Sequence, residues 1–227
     1  MKRSLINAKI ALAKRVLKQL HFTLPPFAYW TMDEWKQKGS CIEMIRRTML
    51  GWDITDFSSG DFERVGAVLF TLRNGDAYDP AIGTPYAEKI IVVQNGQILP
   101  LHKHMKKTED IINRGGGTML MTLYGSDSSG GVDRESDVQV YCDGELKTYG
   151  AGETFEVPVG ASVTLTPGIY HLFGARCEGE AMLIGEVSSV NDDNTDNYWA
   201  EKRERFSSLE EDEAALCPLC NEYDSFL

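Results

Sequence analysis

The sequence predicts a mainly β protein, a sandwich or a barrel, with helices at its N-terminus. Between about residue 65 and residue 190 the chain contains short apolar or alternating runs of the length typical of strands. Turn pairs separate them at Asn74-Gly75, Asn95-Gly96 and Asp143-Gly144, and each pair is typical of a hairpin. Many short strands with closely spaced turns favour a sandwich or a barrel.

Helices are predicted for residues 1–60. Apolar residues recur three or four positions apart, and Pro25-Pro26 ends the first helix. A second segment begins near Asp33. We expect residues 1–60 to pack on a barrel formed by residues 61–227, which includes a polar, acidic C-terminal extension. The predicted strands are Ala67–Leu72, Lys89–Val93, Gln97–Leu101, Met119–Tyr124, Val138–Cys142, Thr154–Val157, Ser162–Thr166 and Ala181–Val187.

Composition restricts the partners and the compartment. The 227 residues carry a formal charge of -11, which argues against nucleic acid or an anionic membrane as a partner. No apolar run approaches the roughly 18 residues of a membrane span. The basic, amphipathic N-terminus is also compatible with a transit peptide, but it is not rich in serine and leads directly into Pro25-Pro26, which favours a packed helix. The five cysteines form no disulfide framework, so we expect reduced thiols and a cytoplasmic protein.

Three of the four histidines lie in strand-like runs. His102 and His104 are two residues apart and therefore point to the same face of a strand, while His171 lies on a later strand. Together with Glu109 they form a ligand set suited to a divalent metal ion. Glu109 has the opposite parity, so the chain must bend or bulge after His104, and that bend would bring Lys107 to the face of Glu109.

The spacing of these residues resembles the two motifs of the cupin superfamily. The first motif is matched by Gly96, His102-Lys103-His104, Glu109 and Gly116. The second is matched from Pro167-Gly168 to His171, although Ala175 stands where the motif has asparagine. The resemblance implies a cupin-type double-stranded β-helix, or jelly-roll barrel, that binds one metal ion through the three histidines and Glu109.

Longer stretches resemble the D-lyxose isomerase family of cupins, and they extend over nearly the whole chain. They are Leu24–Ala28, Tyr86–Ile90, Glu109–Gly117, Gly185–Asp193 and Cys220–Tyr223. The resemblance implies a sugar isomerase that interconverts D-lyxose with D-xylulose, and D-mannose with D-fructose. It also implies a homodimer and a divalent metal, usually Mn²⁺, with Co²⁺, Fe²⁺, Ni²⁺ or Zn²⁺ as alternatives.

Such an isomerase moves a proton between C1 and C2 of an open-chain sugar through a cis-enediol, and this requires a base. Glu186 is the candidate, because it ends an apolar strand and shares a face with Met182 and Ile184. Lys107 or Lys89 could donate to the oxygen that gains charge, or carry the second proton. For each of these residues a structural ion pair is the alternative.

Further pocket candidates carry weaker arguments. Asp192 and Asp193 could bind distal sugar hydroxyls, with helix capping or plain solvation as the alternative. Arg114 and Phe173 are the remaining substrate-binding candidates. Two other functions stay open on the same ligand set. One is a non-haem metal dioxygenase, which would consume oxygen, and the other is a sugar-binding cupin without catalysis.

Overall fold

Two antiparallel β-sheets form the body of the protein in a computed structural model that describes residues 1–226. The strands are β1 (Gly51–Thr55), β2 (Ala67–Gly75), β3 (Gly83–Gln94), β4 (Ile98–Lys103), β5 (Glu109–Gly115), β6 (Gly117–Ser126), β7 (Val132–Asp133), β8 (Val138–Cys142), β9 (Glu145–Tyr149), β10 (Thr154–Val157), β11 (Ser162–Leu165), β12 (Tyr170–Cys177), β13 (Ala181–Ser189) and β14 (Tyr198–Trp199). The helices are α1 (Arg3–Gln19), α2 (Met32–Gln37), α3 (Glu43–Arg47) and α4 (Tyr223–Phe226), with 3₁₀ turns at Pro26–Tyr29 and Gly39–Ile42.

The order of the strands is that of a jelly roll. The larger sheet has the order β1-β2-β3-β13-β5-β11-β8-β9, and the smaller has β10-β6-β12-β4-β14, with β7 paired to β6. Strand β13 lies between β3 and β5, so strands distant in sequence are neighbours in space. The main apolar core fills the space between the sheets, with Leu69 and Ile91 from the larger sheet and Met121 and Phe173 from the smaller. The predicted fold class, a mainly β jelly-roll barrel with N-terminal helices, is confirmed.

Helix α1 covers the outer face of the larger sheet. Successive residues of β2 alternate, so that Leu69 points into the barrel while Val68 and Phe70 pack toward the helix. Burial on both faces explains why the strands of this sheet read as continuous apolar runs. The helix contributes a stripe of fully or almost fully buried residues, Ile6, Ile10, Ala13, Val16 and Leu17.

Five strands, β1, β5, β7, β9 and β14, were not predicted. Residues 51–55 lie inside the segment expected to be helical, and there the expectation is wrong, because they form β1 and pair with β2 from Gly51↔Thr71 to Thr55↔Ala67. All five residues are buried by neighbours distant in sequence, which outweighs the helical context. Strands β5 and β9 were also missed, since polar residues interrupt their apolar pattern. The division of the chain at residue 60 stays a prediction, with β1 joined to β2 across it.

The C-terminal extension docks against α1. The fully buried guanidinium of Arg3 binds Glu211, with Nε 2.9 Å from Oε2, and Glu222, with Nη1 3.1 Å from Oε2. Before this docked end, residues 191–207 cross the open end of the barrel. We call this segment the C-terminal strap. Within residues 1–226 there is no helix both long and apolar enough to cross a membrane.

Candidate active site

Three buried imidazoles converge at one end of the barrel. His102 lies on β4 and pairs with His171 on β12, and His104 follows the end of β4. Their ligand nitrogens all lie within 4.8 Å of one another, and the three side chains are buried. The three histidines that were predicted to share one ligand set therefore lie together.

Each of the three rings is held by a backbone carbonyl. Nδ1 of His102 lies 2.9 Å from the oxygen of Pro100, Nδ1 of His104 lies 2.6 Å from that of Asp196, and Nδ1 of His171 lies 3.2 Å from that of Ile169. A carbonyl can only accept, so in the neutral ring the proton resides on Nδ1. The lone pair of Nε2 is then left for a metal ion, which is the usual arrangement of metal-binding histidines.

Glu109 completes the donor set. The strand ends at Lys103, residues 104–108 form no regular structure, and β5 begins at Glu109, so the predicted bend is present. Oε1 of Glu109 lies 3.1 Å from Nε2 of His171 and 3.5 Å from Nε2 of His104. Among the described residues neither Glu109 Oε1 nor His171 Nε2 has a hydrogen-bond partner, although both atoms are buried. Buried atoms without partners are costly, and a cation between them would satisfy both.

The ionisation of these groups also suits a metal. Burial, together with the neighbouring His171 and His104, holds the pKa of His102 well below its ordinary value. Burial raises the pKa of Glu109, but the ammonium group of Lys107 together with His104 and His171 outweighs this effect and leaves the pKa well below its ordinary value. A neutral imidazole and an ionised carboxylate are the forms that bind metals. The donor set therefore fits a divalent ion.

A row of buried charges of alternating sign leads away from the histidines. Nζ of Lys107 lies 2.7 Å from Glu109 and 2.8 Å from Oε1 of Glu186. Nζ of Lys89 lies 3.9 Å from the same Glu186 oxygen and 3.3 Å from Asp193. Burial lowers the pKa of Lys107, but the carboxylates of Glu109 and Glu186 outweigh it and raise the pKa above its ordinary value. Lys107 is therefore a permanent cation that holds the two carboxylates together.

The row continues into the C-terminal strap. Arg205 donates to Oδ2 of Asp53 at 2.6 Å and to Asp193 at 3.3 Å. Burial raises the pKa of Asp193, but Arg205 and Lys89 outweigh it and hold the pKa well below its ordinary value. Because Lys89 and Arg205 flank it, the Asp193 carboxylate stays ionised.

A cavity of about 40 Å³ lies beside the histidines and these charges. Its apolar lining includes Phe57, Leu99, Phe173 and Trp199, and its polar lining includes Lys89, Glu186 and Asn197. The lining combines apolar side chains with the histidines and the row of charges, a composition that suits a small polar ligand.

Comparison with known proteins identifies the family. The family model described as D-lyxose isomerase matches residues 1–223. The chain belongs to the D-lyxose isomerase family. It is 41% identical to the D-lyxose/D-mannose isomerase of Escherichia coli O157:H7 and 39% identical to that of Serratia proteamaculans, over the full length of both chains in each case. In fold it resembles the L-ribose isomerase of Cellulomonas parahominis, with 14% identity, a TM-score of 0.55, and coverage of 92% of this chain and 98% of that one.

Membership of this family confirms the predicted enzyme class, a sugar isomerase. It does not favour the dioxygenase alternative, since the full-length relatives are isomerases. The buried three-histidine group is the part of the site that can hold a metal ion.

The remaining candidates of this isomerase lie at different distances from the cavity. Lys89 and Phe173 line it. Asp192 lines a neighbouring cavity, where it accepts hydrogen bonds from Tyr78 Oη and from the backbone N–H of Asn194, and the residues that follow it form a turn and not a helix. Arg114 is exposed and alternates with Glu109 and Ile111 on β5, so it lies on the face away from the cavity. The roles of Asp192 and Arg114 in substrate binding stay predictions.

Sequence reasoning missed most of what the strap contributes. Asn197, Trp199 and Arg205 line the cavity, and Trp199 pairs with His102 in a short bridge between β14 and β4. The ring of Trp199 lies 4.9 Å from that of His102. The only local signal was one aromatic pair, Tyr198-Trp199, in an otherwise polar and acidic tail.

Proposed function

We propose that this protein is a metal-dependent aldose–ketose isomerase that interconverts D-lyxose with D-xylulose, and D-mannose with D-fructose. One observation carries the proposal. The buried three-histidine and glutamate donor set lies beside a buried Lys107–Glu186 pair, and all of these residues line one cavity. The names of the full-length relatives supply the two sugars.

We infer that His102, His104, His171 and Glu109 hold one divalent metal ion. When bound, the metal supplies Lewis acidity that polarises the carbonyl of the open-chain sugar. Nitrogen and carboxylate donors together suit Mn²⁺, and Co²⁺, Fe²⁺, Ni²⁺ and Zn²⁺ bind the same ligand types. Mn²⁺ is proposed on the basis of the family resemblance.

Glu186 is proposed as the base. Its carboxylate takes the proton from C2 of the aldose, the electron pair of that bond forms the C1–C2 double bond, and the carbonyl pair passes to O1, which gives the cis-enediol in its anionic form. The hydroxyl proton of O2 passes to O1, and return of the proton from Glu186 to C1 as the C2 carbonyl forms gives the ketose. The pKa of Lys107 is raised, so this residue keeps its proton and acts as a fixed hydrogen-bond donor. It also orients Glu186, whose Oε1 lies 2.8 Å from Nζ of Lys107.

The other end of the cavity would bind the distal hydroxyls of the sugar. Lys89, Asp193 and Arg205 offer donors and acceptors there, and Nη1 of Arg205 is buried without a partner among the described residues. Phe173 belongs to the apolar wall, which limits access of water to the enediol. Asp192 precedes Asp193 and lies outside the cavity. We propose that it supports substrate binding by holding the turn in which Asp193 lies.

A homodimer and a cytoplasmic location are proposed from the resemblance and from the cysteines. All five cysteines are free thiols in the structure, which suits a reducing compartment. Light scattering should give twice the 25.3 kDa of one chain, and a mass of one chain would contradict the dimer.

The decisive assay compares EDTA-stripped protein before and after addition of Mn²⁺, with D-lyxose and D-mannose as substrates. Ketose should appear only with the metal. Absence of ketose from either sugar, with metal bound, would refute the isomerase on these substrates. Run in D₂O, the reaction should place deuterium at C1 of the ketose, because the proton on Glu186 exchanges with solvent. Isomerisation without any deuterium would refute the proton-transfer mechanism and leave the activity standing.

Glu186→Gln separates the base from the metal site. The variant should keep its metal content and lose at least a hundredfold in kcat, because the amide cannot accept the proton from carbon. Glu156→Gln, which alters an exposed glutamate paired with Arg176, is the matched control. A kcat near that of the control would remove Glu186 as the base.

A further inference from the structure

Asp196 is a buried carboxylate of the C-terminal strap that has no ion-pair partner among residues 1–226. Its oxygens accept three consecutive backbone N–H groups. Oδ1 lies 2.9 Å from the nitrogen of Met105 and 3.2 Å from that of Lys106, and Oδ2 lies 3.0 Å from that of Lys107. Its own carbonyl oxygen accepts Nδ1–H of His104 at 2.6 Å. One residue thus contacts four successive residues, 104–107.

These four residues form the bend between the His-x-His strand and Glu109. The bend leaves the sheet, so its N–H groups have no strand partner, and buried N–H groups require an acceptor. A carboxylate is a stronger acceptor than a neutral oxygen, and two oxygens can serve three donors. The position of His104 and of Lys107 therefore depends on a residue about 90 positions later in the chain.

The two ends of the bend carry different parts of the site. At one end the ring of His104 is fixed by the Asp196 carbonyl, so that Nε2 faces the other histidines. At the other end the backbone of Lys107 is fixed by the Asp196 carboxylate, while its ammonium reaches Glu109 at 2.7 Å and Glu186 at 2.8 Å. The same strap brings Asp193 and Asn197 into the cavity.

We propose that Asp196 is a positioning residue of the active site, which sets the His104 ring for the metal and the Lys107 ammonium for Glu186. It acts through these two residues and does not line the cavity itself. This inference rests on the proposed metal site and on the proposed role of Lys107. The strap then has two functions. It lines the pocket, and through Asp196 it is bonded to the bend that carries the ligands.

Asp196→Asn tests the proposal with little change in shape. Asparagine has one acceptor oxygen, and its NH₂ group would face a backbone N–H, so one end of the bend loses its bond. The substitution keeps the backbone carbonyl that bonds His104 but weakens the bonds that hold the bend beside this ligand. A change in the groups that support a metal ligand typically lowers metal affinity about 10–100-fold. We expect a loss of that size in Mn²⁺ affinity, measured by titration of EDTA-stripped protein. We also expect at least a tenfold lower kcat at saturating Mn²⁺, with a smaller change in KM.

Asp133→Asn is the matched control. The carboxylate of Asp133 likewise accepts successive N–H groups, those of Glu135 at 2.9 Å and Ser136 at 3.1 Å, in a turn that does not line the cavity. This variant should retain Mn²⁺ affinity and kcat within about twofold. A general effect of losing a turn carboxylate would appear in both variants, whereas a positioning effect appears only in Asp196→Asn.

A double-mutant cycle with His104→Ala, with Mn²⁺ affinity as the measured quantity, distinguishes a positioning role of Asp196 from a purely structural one. If Asp196 acts on the metal through His104, its replacement should cost much less Mn²⁺ affinity when His104 is already absent. Equal losses of Mn²⁺ affinity with and without His104 would refute the proposal that Asp196 acts on the metal through His104.

Hydrogen exchange on the unaltered, metal-free protein covers the case in which the variants do not fold. The amides of residues 105–107 should be protected, and free exchange at all three would show that the bonds are absent. A folded Asp196→Asn protein with unchanged Mn²⁺ affinity and kcat would also overturn the inference. Failure of the unaltered protein to bind Mn²⁺ or to isomerise sugars would instead refute the proposed function.

Discussion

Replacement of Arg205 with methionine should destabilise the protein by about 3–5 kcal/mol, since that is the usual effect of removing one partner of a buried ion pair. The guanidinium binds Asp53 at 2.6 Å and Asp193 at 3.3 Å, and all three side chains are largely buried. In the variant Asp193 keeps Lys89 at 3.3 Å. Asp53 keeps no cation among the described residues and accounts for most of the loss.

Arg203→Met is the matched control. Arg203 lies two residues earlier in the same strap and pairs with the exposed Glu201 at 3.2 Å. An exposed pair of this kind contributes about 0–1 kcal/mol. The two substitutions remove the same side chain, so the difference between them reports on the buried network. Adding Asp53→Asn to Arg205→Met should recover part of the loss, because one uncompensated charge is then removed.

The loss should also depend on pH. Burial raises the pKa of Asp193, but Arg205 and Lys89 outweigh it and lower the folded-state pKa below the ordinary value of 3.8. A group with a lowered folded-state pKa stabilises the protein above its unfolded-state pKa, and this stabilisation disappears as the pH falls through the folded-state pKa. Without Arg205 part of that stabilisation is absent. The difference between the two proteins should therefore be largest near neutral pH and narrow as the pH falls below about 4.

Urea unfolding of EDTA-stripped protein, followed by tryptophan fluorescence, measures these free energies without a contribution from bound metal. A loss from Arg205→Met no larger than that from Arg203→Met would refute the view that Arg205 neutralises buried carboxylates. A difference that does not narrow as the pH falls below about 4 would refute the contribution assigned to Asp193.

Three further predictions concern the metal, the core and the thiols. His171→Ala should lose bound metal by elemental analysis, and full occupancy would contradict its assignment as a ligand. Leu17→Ala, at a fully buried position of α1, should lower the free energy of unfolding in urea by about 2–5 kcal/mol. The control Leu216→Ala, at an exposed position of the C-terminal extension, should change this free energy by less than about 0.5 kcal/mol. Equal losses in the two variants would contradict the packing of α1. Burial raises the pKa of the Cys217 thiol to about 11, so little thiolate forms at pH 8 and this thiol should react with a disulfide reagent only after unfolding. The exposed Cys41 should react in the native protein. Rapid reaction of Cys217 in the native protein would contradict its burial.

Much of the site could be predicted from the sequence because its spacing carries geometric information. Side chains two apart on a strand share a face, which fixes His102 and His104 together. The odd spacing to Glu109 required a bend, and the bend brings Lys107 next to Glu109. The face of Glu186 followed from the same alternation, and its side chain does point into the cavity.

The sequence was a weaker guide to the positions of isolated polar residues. Asp192 and Asp193 are adjacent and chemically identical in sequence, yet only Asp193 lines the cavity that contains the histidines. Arg114 was a substrate-binding candidate next to three glycines, but it is an exposed residue of β5. Local composition does not say which face of a turn or strand end a charged side chain occupies.

The sequence by itself determined a mainly β sandwich or barrel, the N-terminal helix and the metal-ligand candidates, since these depend on periodicity and on spacing within short segments. The jelly-roll class was implied by the resemblance to the cupin motifs. The tertiary structure decided how the C-terminal strap completes the site. Asp196 meets Lys107 across 89 residues, and Arg205 meets Asp53 across 152. Contacts over such separations leave no local pattern, because they arise only when the folded sheets and the docked C-terminus bring the segments together.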